Sequence, residues 1–498
     1  MKHMPKNAPQ PLDTSITLSP DTTRVVLRRL TPNPEARTSS IIGRINSLTE
    51  EQVNKTLEGV LKRFSGRHPH TEATLLNHYE EVKSFLEADF DLSSRRKMLI
   101  GAYFTHEYAF ESAALFNPSI VPHPDQTGVG DGSLRFIMSL RSTGEGHISS
   151  LTFRTGTADA AGGITIDDIS PYSVVARPHP EPLYDKSCFE KKLAEMGFDN
   201  EFSRAIMARL DSYFSITQLH ASLSGFIREN HRYSESDRLV HDKILWLAYS
   251  NYEVTLYEDV PLSSNIIFPA SPSEKNGIED ARFVRFTDDD GSVRYYATYT
   301  AYDGKVILPQ LMETDFHTFK MITLNGSAVH NKGMALFPRR INGKFVMLSR
   351  QDSESIFLIY SDNIHFWHDS VRIVRPKYQW EFLQIGNCGS PIETDEGWLV
   401  LTHGVGPLRQ YSIGAVLLDR DDPAKVIGRL SKPLIVSSDS HRGGYVPNVV
   451  YTCGALLHNQ RLIIPYAVSD SHTRILTVKL TQLLGAMRNG SMATQTAK

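Results

Sequence analysis

Cysteine is scarce in this chain. Cys188, Cys388 and Cys453 are the only three in 498 residues, too scattered for a disulfide framework and with no pair at metal-ligand spacing. That favours a reducing compartment. Dense basic blocks are also missing: Lys plus Arg number 53 against 56 for Asp plus Glu, a net charge of -3, so nucleic acid is not an expected partner. No apolar run approaches the length that spans a bilayer, and the opening MKHMPKNAPQPLD is polar and proline-rich without an apolar signal core. The expectation is a cytoplasmic protein with no membrane partner. What is present is ordinary for a globular chain, 40% hydrophobic and 22% charged, and the length suits one large domain with appendages or two to three domains.

Residues 1–110 read as an N-terminal extension and helical region. Ser47 and Glu50 have capping-box spacing, with Thr49 an equal candidate cap, and Val53, Leu57, Val60, Leu61 and Phe64 follow on one helical face. A second helix is predicted from Thr74 to Phe90 and a third from Ser94 to about Phe110.

From Asp131 onward the pattern alternates, and a turn followed by a hydrophobic strand recurs five times. The copies are DGSLRFIMSLR (Asp131), DGSVRYYATYTAYDG (Asp290), NGKFVMLSRQD (Asn342), EGWLVLTHG (Glu396) and NQRLIIPYAVSD (Asn459). Gly291, Gly343, Gly397 and Asn459 lie 52, 54 and 62 residues apart, which is blade-sized. Gly132 and Gly291 are 159 apart, and Lys186 to Asn230 between them reads as helix. LIYSDNIHFW, LMETDFHTF and LAYSNYEVTLY share an apolar strand, a polar turn and an aromatic, as outer strands of successive blades would. The expected fold is mainly β: a five-bladed β-propeller over 111–485 with a helical insertion at about 180–240, then a tail at 486–498. A β-sandwich does not predict such regular repeats.

In a propeller, the polar residues that close the inner strands converge on a central channel. Here they are Arg141, the Tyr302-Asp303 pair, Arg350 with Asp352, His403 and Asp470. Glu279 and Asp280 are adjacent in an extended segment, so only one should face the channel while the other holds Arg282 or a backbone group. An inverting hydrolase needs a second carboxylate about 6.5–9.5 Å from the acid to activate water. A phosphorolytic site needs cations instead, and Lys332, Arg350 and His403 could form that cradle.

The run GNCGSPIETDEGWLVLTHGV (Gly386 to Val405), followed by YSIGAVLLDRDDPAKVIGR (Tyr411 to Arg429), resembles the most characteristic stretch of glycoside hydrolase family 130. FNPSI at Phe116, IEDAR, ATYTAYDG, KGMALFPRRINGKFVMLSR and GYVPNVVYTCGALLHNQRLIIPYAVSD extend the similarity over about 111–480, with 157–240 poorly matched. The resemblance implies a five-bladed propeller acting on β-mannosides with inversion, using inorganic phosphate as co-substrate and no metal or organic cofactor, and releasing α-mannose 1-phosphate. It places the catalytic acid at Asp280, with Ala281 where the family has proline, and implies protonation of the glycosidic oxygen through a sugar hydroxyl. Lys332, Arg350, His403 and Tyr411 match phosphate-contacting positions; Asn117, Arg141, Asp303 and Asp470 match sugar-contacting ones.

One position departs. Family phosphorylases carry lysine where this chain has Gln384, and hydrolytic members use glutamates to activate water, for which Glu381 and Glu393 are the candidates here. The retained cations favour phosphorolysis. The helical additions resemble longer members associated with β-1,2-linked oligomannans, or serve homo-oligomer contacts. A non-catalytic sugar-binding propeller is the reading from another class. A three-acid propeller glycosidase is disfavoured because no early-blade aspartate has the required context.

Overall fold

A computed structural model of the protein describes residues 9–34, 36–86, 91–179, 181–229, 233–302, 307–437 and 443–495. The fold is mainly β. Among the described residues, most strands fall into five antiparallel sets, and each of the five turn-strand units is the second strand of a different set.

The first set is Ala114–Pro122, Leu134–Thr143, Ser149–Ala158 and Ile164–Ile166; the second is Gly277–Thr287, Val293–Tyr302, Ile307–Thr314 and Thr318–Thr323. These two join along one parallel contact, Gly277 beside Ser149. The third runs Ala335–Leu336, Phe345–Ser349, Ile356–Ser361 and Asp369–Val374. In the fourth, Gln384–Asn387 and Ile392–Thr394 both pair with Gly397–Val405, which is followed by Tyr411–Leu418 and Val426–Arg429. The fifth has Val450–Tyr451 and Leu456–His458 on Arg461–Val468, then His472–Lys479, and its outer strand is Leu12–Leu18 from the other end of the chain.

Apolar residues alternate onto the faces between sets, as half-buried strands require. Phe153 of the first set packs with Phe283 and Tyr295 of the second, and Tyr296 of the second with Met334 and Phe345 of the third. Phe337 and Val346 of the third meet Trp398 and Val400 of the fourth, whose Leu399 and Ile413 meet Leu462 and Ile464 of the fifth. Ile463 and Ile475 of the fifth then pack on Leu115 and Phe136 of the first.

The helices lie outside this β body. Helix α1 (Arg37–Asn46), which sequence patterning did not predict, precedes α2 (Glu50–Phe64). The α2 capping box is Thr49 with Gln52, not Ser47 with Glu50: Gln52 N donates to Thr49 Oγ1 at 3.3 Å and Thr49 N to Gln52 Oε1 at 2.9 Å. Helix α3 is Thr71–Val82 and α4 is Ser94–Tyr103. The predicted third helix stops there because Thr105–Ala109 is a strand paired with Val25–Arg29.

The insertion holds α5 (Lys186–Glu195), α6 (Glu201–Met207), α7 (Ile216–Glu229) and α8 (Glu235–Tyr249) around their own core of Phe189, Phe202, Ile206, Phe214, Leu219 and Ile244. LAYSNYEVTLY is therefore not a blade strand throughout. Its apolar half ends α8, and only Tyr252–Thr255 is extended, added to the edge strand Thr318–Thr323. The stretch expected as a tail continues a final helix, α9 (Leu480–Gln495), with Leu483, Leu484 and Met487 buried. Among the described residues no helix is long and apolar enough to cross a membrane.

Candidate active site

Two strand irregularities build the site. The ladder between the first two strands of the first set slips between Phe116 and Ser119, and that of the second set between Glu279 and Arg282. At each slip a non-glycine residue takes left-handed backbone, Asn117 at φ 48° and Asp280 at φ 54°. Such strained bulges re-aim side chains and concentrate at functional sites. Here Asn117 Nδ2 donates to Asp280 Oδ1 at 2.6 Å.

The bulge overturns the expectation that Glu279 and Asp280 point apart. Arg141 spans both, with its guanidinium 2.9 Å from Glu279 Oε1 and 3.5 Å from Asp280 Oδ1. Lys332 Nζ donates to Glu279 Oε2 at 2.7 Å, so the lysine expected as a free phosphate contact is engaged by a carboxylate. Arg282 is held by neither acid: its Nε donates to the Cys388 carbonyl at 2.8 Å and its terminal nitrogen to Tyr451 Oη at 2.7 Å.

Asn117, Arg141, Asp280, Arg282, Lys332 and Tyr451 line a cavity of about 200 Å³ together with Arg350, Asn387, His403, Arg409, Tyr411 and Asp470, while Glu279 lines the hollow next to it. The lining comes from the first strand or its approach in all five sets, and from the end of the second strand in four: Arg141, Arg350, His403 and Asp470. An adjoining hollow of about 350 Å³ shares Arg141 and Asp470 and is walled by Phe116, His147, Tyr302 and Tyr445, with the His147 and Tyr445 rings 5.3 Å apart. Asp303 lies outside the described residues. Asp352 is turned to its own loop, accepting from Glu354 N and Ser355 N at 2.9 and 2.7 Å and facing Arg372.

Buried polar atoms without partners gather here. Among the described residues, Asn117 Oδ1, Arg350 Nε, both amide atoms of Asn387 and His403 Nδ1 have none. Since buried polar groups are normally satisfied, their convergence on one cavity marks a ligand cradle. His403 fits its place because Gly386 has no side chain: a Cβ there would sit 2.5 Å from His403 Cε1. The ring stacks at 12° on Tyr411, with centroids 5.9 Å apart, and Gln384 Nε2 lies 3.1 Å from its Nε2.

The electrostatics are uneven. Burial pushes the Asp280 carboxyl up, but Arg141, Arg282, Lys332 and the bond from Asn117 outweigh it and hold the carboxyl below the usual range. Asp470 moves the other way, raised to about 6 by burial and by the neighbouring Asp280 charge. Burial, then Arg350 and Arg282, pull His403 down to about 3, so its imidazole is neutral near pH 7 and acts as a hydrogen-bonding group. Among the described residues no cluster of three or more His, Cys, Asp or Glu side chains could hold a metal ion.

Glu381 and Glu393 require a correction, because neither lines this cavity. Glu381 is fully buried, accepts from Lys377 N and Tyr378 N at 2.8 and 2.9 Å, and is paired with Arg429. Glu393 is clamped by Arg339 at 2.7 Å and Arg420 at 3.2 Å. Glu381→Ala should therefore cost stability, about 3–5 kcal/mol for breaking a buried pair, read as a lower Tm. Folded variant protein should keep its turnover; loss of activity at unchanged Tm would return Glu381 to the chemistry. Arg282, Asn387 and Arg409 are site residues that sequence reasoning missed.

A mainly β body presenting two aspartates among convergent arginines, beside a ring-sized hollow, defines a carbohydrate-active class of protein. A family model described as beta-1,4-mannooligosaccharide phosphorylase matches residues 252–489. The chain is 34% identical over 221 residues to the 1,2-beta-oligomannan phosphorylase of Thermoanaerobacter sp. (strain X514), covering 43% of this chain and 70% of that protein. It is also 34% identical over 216 residues to the beta-1,2-mannobiose phosphorylase of the same organism, covering 42% and 68%. Among solved structures, the beta-1,2-mannobiose phosphorylase of Listeria innocua in complex with beta-1,2-mannobiose aligns with a TM-score of 0.43 at 20% identity, over 76% of this chain and 93% of that one. The chain belongs to glycoside hydrolase family 130.

Proposed function

We propose that this protein is an inverting β-mannoside phosphorylase, acting on β-1,2-linked oligomannosides and releasing α-mannose 1-phosphate. One observation carries the choice of phosphorolysis over hydrolysis. The cavity is lined by Arg141, Arg282, Lys332, Arg350 and Arg409 against Asp280 and Asp470; Glu279 beside it engages Arg141 and Lys332, which leaves Arg282, Arg350 and Arg409 in no ion pair with a carboxylate among the described residues. Such an excess suits an anionic nucleophile. Arg409 supplies the charge that a lysine at position 384 would bring, while Gln384 supports His403. The relatives named for 1,2-beta-oligomannan and beta-1,2-mannobiose support the linkage.

In this reading Asp280 is the catalytic acid, and phosphate lies against Arg350, Arg409, His403 and Tyr411. Lys332 acts through Glu279. Asn117, Arg141, Asp303 and Asp470 hold the mannosyl ring, and the hollow at His147 and Tyr445 takes the leaving sugar. The transfer balances without a further cofactor. A phosphate oxygen forms the new bond to C1 as the old C1–O bond breaks on the opposite face. The leaving oxygen takes a proton originating at Asp280, relayed through a sugar hydroxyl, and the proton of HPO₄²⁻ restores the carboxyl.

We further propose that the five strand sets are the blades of a β-propeller over residues 111–485. The cyclic order of their contacts, with the fifth packed on the first and Leu12–Leu18 completing the fifth, supports it. A sugar phosphate is retained inside a cell by its charge, which favours the cytoplasm as its place of work.

Incubation with β-1,2-mannobiose, with and without phosphate, tests the activity. Proton NMR should show α-mannose 1-phosphate only when phosphate is present, and β-1,4-mannobiose should react more slowly. Release of free mannose at equal rate without phosphate would overturn the reading.

A further inference from the structure

The helical insertion and the second strand set enclose another hollow, of about 440 Å³, and it shares no lining residue with either cavity at Asp280. Its size falls within the range of about 300–1,000 Å³ typical of small-molecule sites. One wall is aromatic and apolar, formed by Tyr184, Phe189 and Met321. At its edge, the two-stranded ribbon of Leu183–Asp185 and Tyr213–Ser215 leaves Tyr213 63% exposed.

The lining also includes three residues that each carry a buried polar atom with no partner among the described residues: Thr323 Oγ1, Asn325 Oδ1 and His365 Nδ1. Thr323 and Asn325 are 3% and 2% exposed. Their other polar groups are already fixed. Thr323 N donates to Asn251 Oδ1 at 2.7 Å, and Asn325 Nδ2 donates to the carbonyls of Thr323 and His365 at 3.5 and 3.1 Å. The Asn325 amide is thereby oriented, leaving its oxygen in want of a donor. Unsatisfied buried atoms at this density call for an occupant.

The chemistry of that occupant follows from what the walls offer. Two lysines line the hollow: Lys192 is spent on the Leu324 carbonyl at 2.7 Å and Glu195 at 3.4 Å, and the exposed Lys320 sits in the ladder between Glu253 and Glu313, with Glu181 and Asp185 also in the lining, so nothing recommends an anion. An amide oxygen accepts only, a threonine hydroxyl does both, and a neutral imidazole nitrogen does one or the other. Neighbouring hydroxyls on a ring can meet all three, while the C–H face of the ring lies against tyrosine. We propose that this hollow is a second saccharide site, which takes one neutral hexose unit and tethers a glycan chain away from the reaction cavity. That the hexose is mannose rests on the phosphorylase reading; the site itself does not.

Calorimetric titration of the full chain with β-1,2-mannobiose in the absence of phosphate tests it. Two sites per chain are expected. Tyr213→Ala and Thr323→Val should each weaken one of them by about tenfold, the worth of a lost aromatic face or hydrogen bond. Both variants should keep the kcat of phosphorolysis and the KM for phosphate. A single site in the native chain overturns the proposal, since water alone then fills the hollow; so does a second site indifferent to both substitutions. If mannobiose is instead split without phosphate, D-mannose replaces it as titrant and the same two-site count applies, so failure of the phosphorylase reading is seen separately.

Discussion

Asp280→Asn is expected to reduce kcat for β-1,2-mannobiose phosphorolysis by two to four orders of magnitude, about the range for loss of a positioned general acid. The substitution keeps shape and removes only the proton. Asparagine Oδ1 can still accept from Asn117, so folding and sugar binding should survive. A substrate that needs no proton separates the role of acid from that of scaffold: with an aryl β-mannoside bearing a good leaving group, the variant should recover much of its rate. The pH dependence has a definite sign. In the empty cavity burial opposes ionisation of Asp280, but Arg141, Arg282 and Lys332 prevail and keep the carboxyl ionised at neutral pH. Catalysis requires the protonated form, which phosphate favours by bringing negative charge and a proton to the same cations. Native kcat/KM should therefore fall as pH rises through the liganded carboxyl, and that alkaline limb should vanish in Asp280→Asn. An unchanged limb, or an equal loss on the aryl mannoside, would remove Asp280 from the acid's role.

The strands that sequence reasoning located are those with the strongest local signal. Each turn-strand unit landed on the second strand of a set, because that strand is buried on both faces and entered through a tight turn. Two of the first strands were invisible. Ala335–Leu336 and Val450–Tyr451 are two residues long and have no periodicity to read. Leu12–Leu18 is largely exposed and pairs with a strand more than 450 residues away, which no local pattern announces. Helix α1 lacks a side-chain cap at Ala36 and so had no start signal. LAYSNYEVTLY misled because Leu247 and Ala248 pack in the insertion core, where helix and strand segments are equally apolar.

The site shows the same division. Residues at the ends of second strands were legible as a converging polar set, with Lys332 a candidate cation beside them, and family similarity supplied Asn117 and the choice of Asp280 as the acid. The side-by-side placement of Glu279 and Asp280 was not legible, since a bulge breaks the alternation on which the reading relied. Arg409 sits beside Leu408 in a short connection where both adopt positive φ, a turn that composition does not foretell. Glu381 and Glu393 looked available because their partners, Arg429, Arg339 and Arg420, are distant in sequence. Ion pairing of this kind is a tertiary fact.

Arg350→Met should raise the KM for phosphate by roughly ten- to a hundredfold, the worth of a charged hydrogen bond, with a smaller change in the KM for mannobiose. The same substitution should stabilise the empty protein. Arg350 is a half-buried cation beside Arg282, its buried Nε has no partner among the described residues, and desolvation already lowers its hold on its proton. A methionine of similar length removes that desolvated charge and the repulsion, so Tm without phosphate should rise. Native protein should gain Tm as phosphate is added, because a ligand that binds only the folded state stabilises it; in Arg350→Met that gain should largely disappear. Lysine should restore little of it, since a point charge cannot reproduce the planar fork on phosphate oxygens. The two effects have opposite signs in one variant, which general damage to the fold cannot imitate. A normal KM for phosphate with a raised KM for mannobiose would assign Arg350 to the sugar and leave Arg409 and His403 to hold the anion.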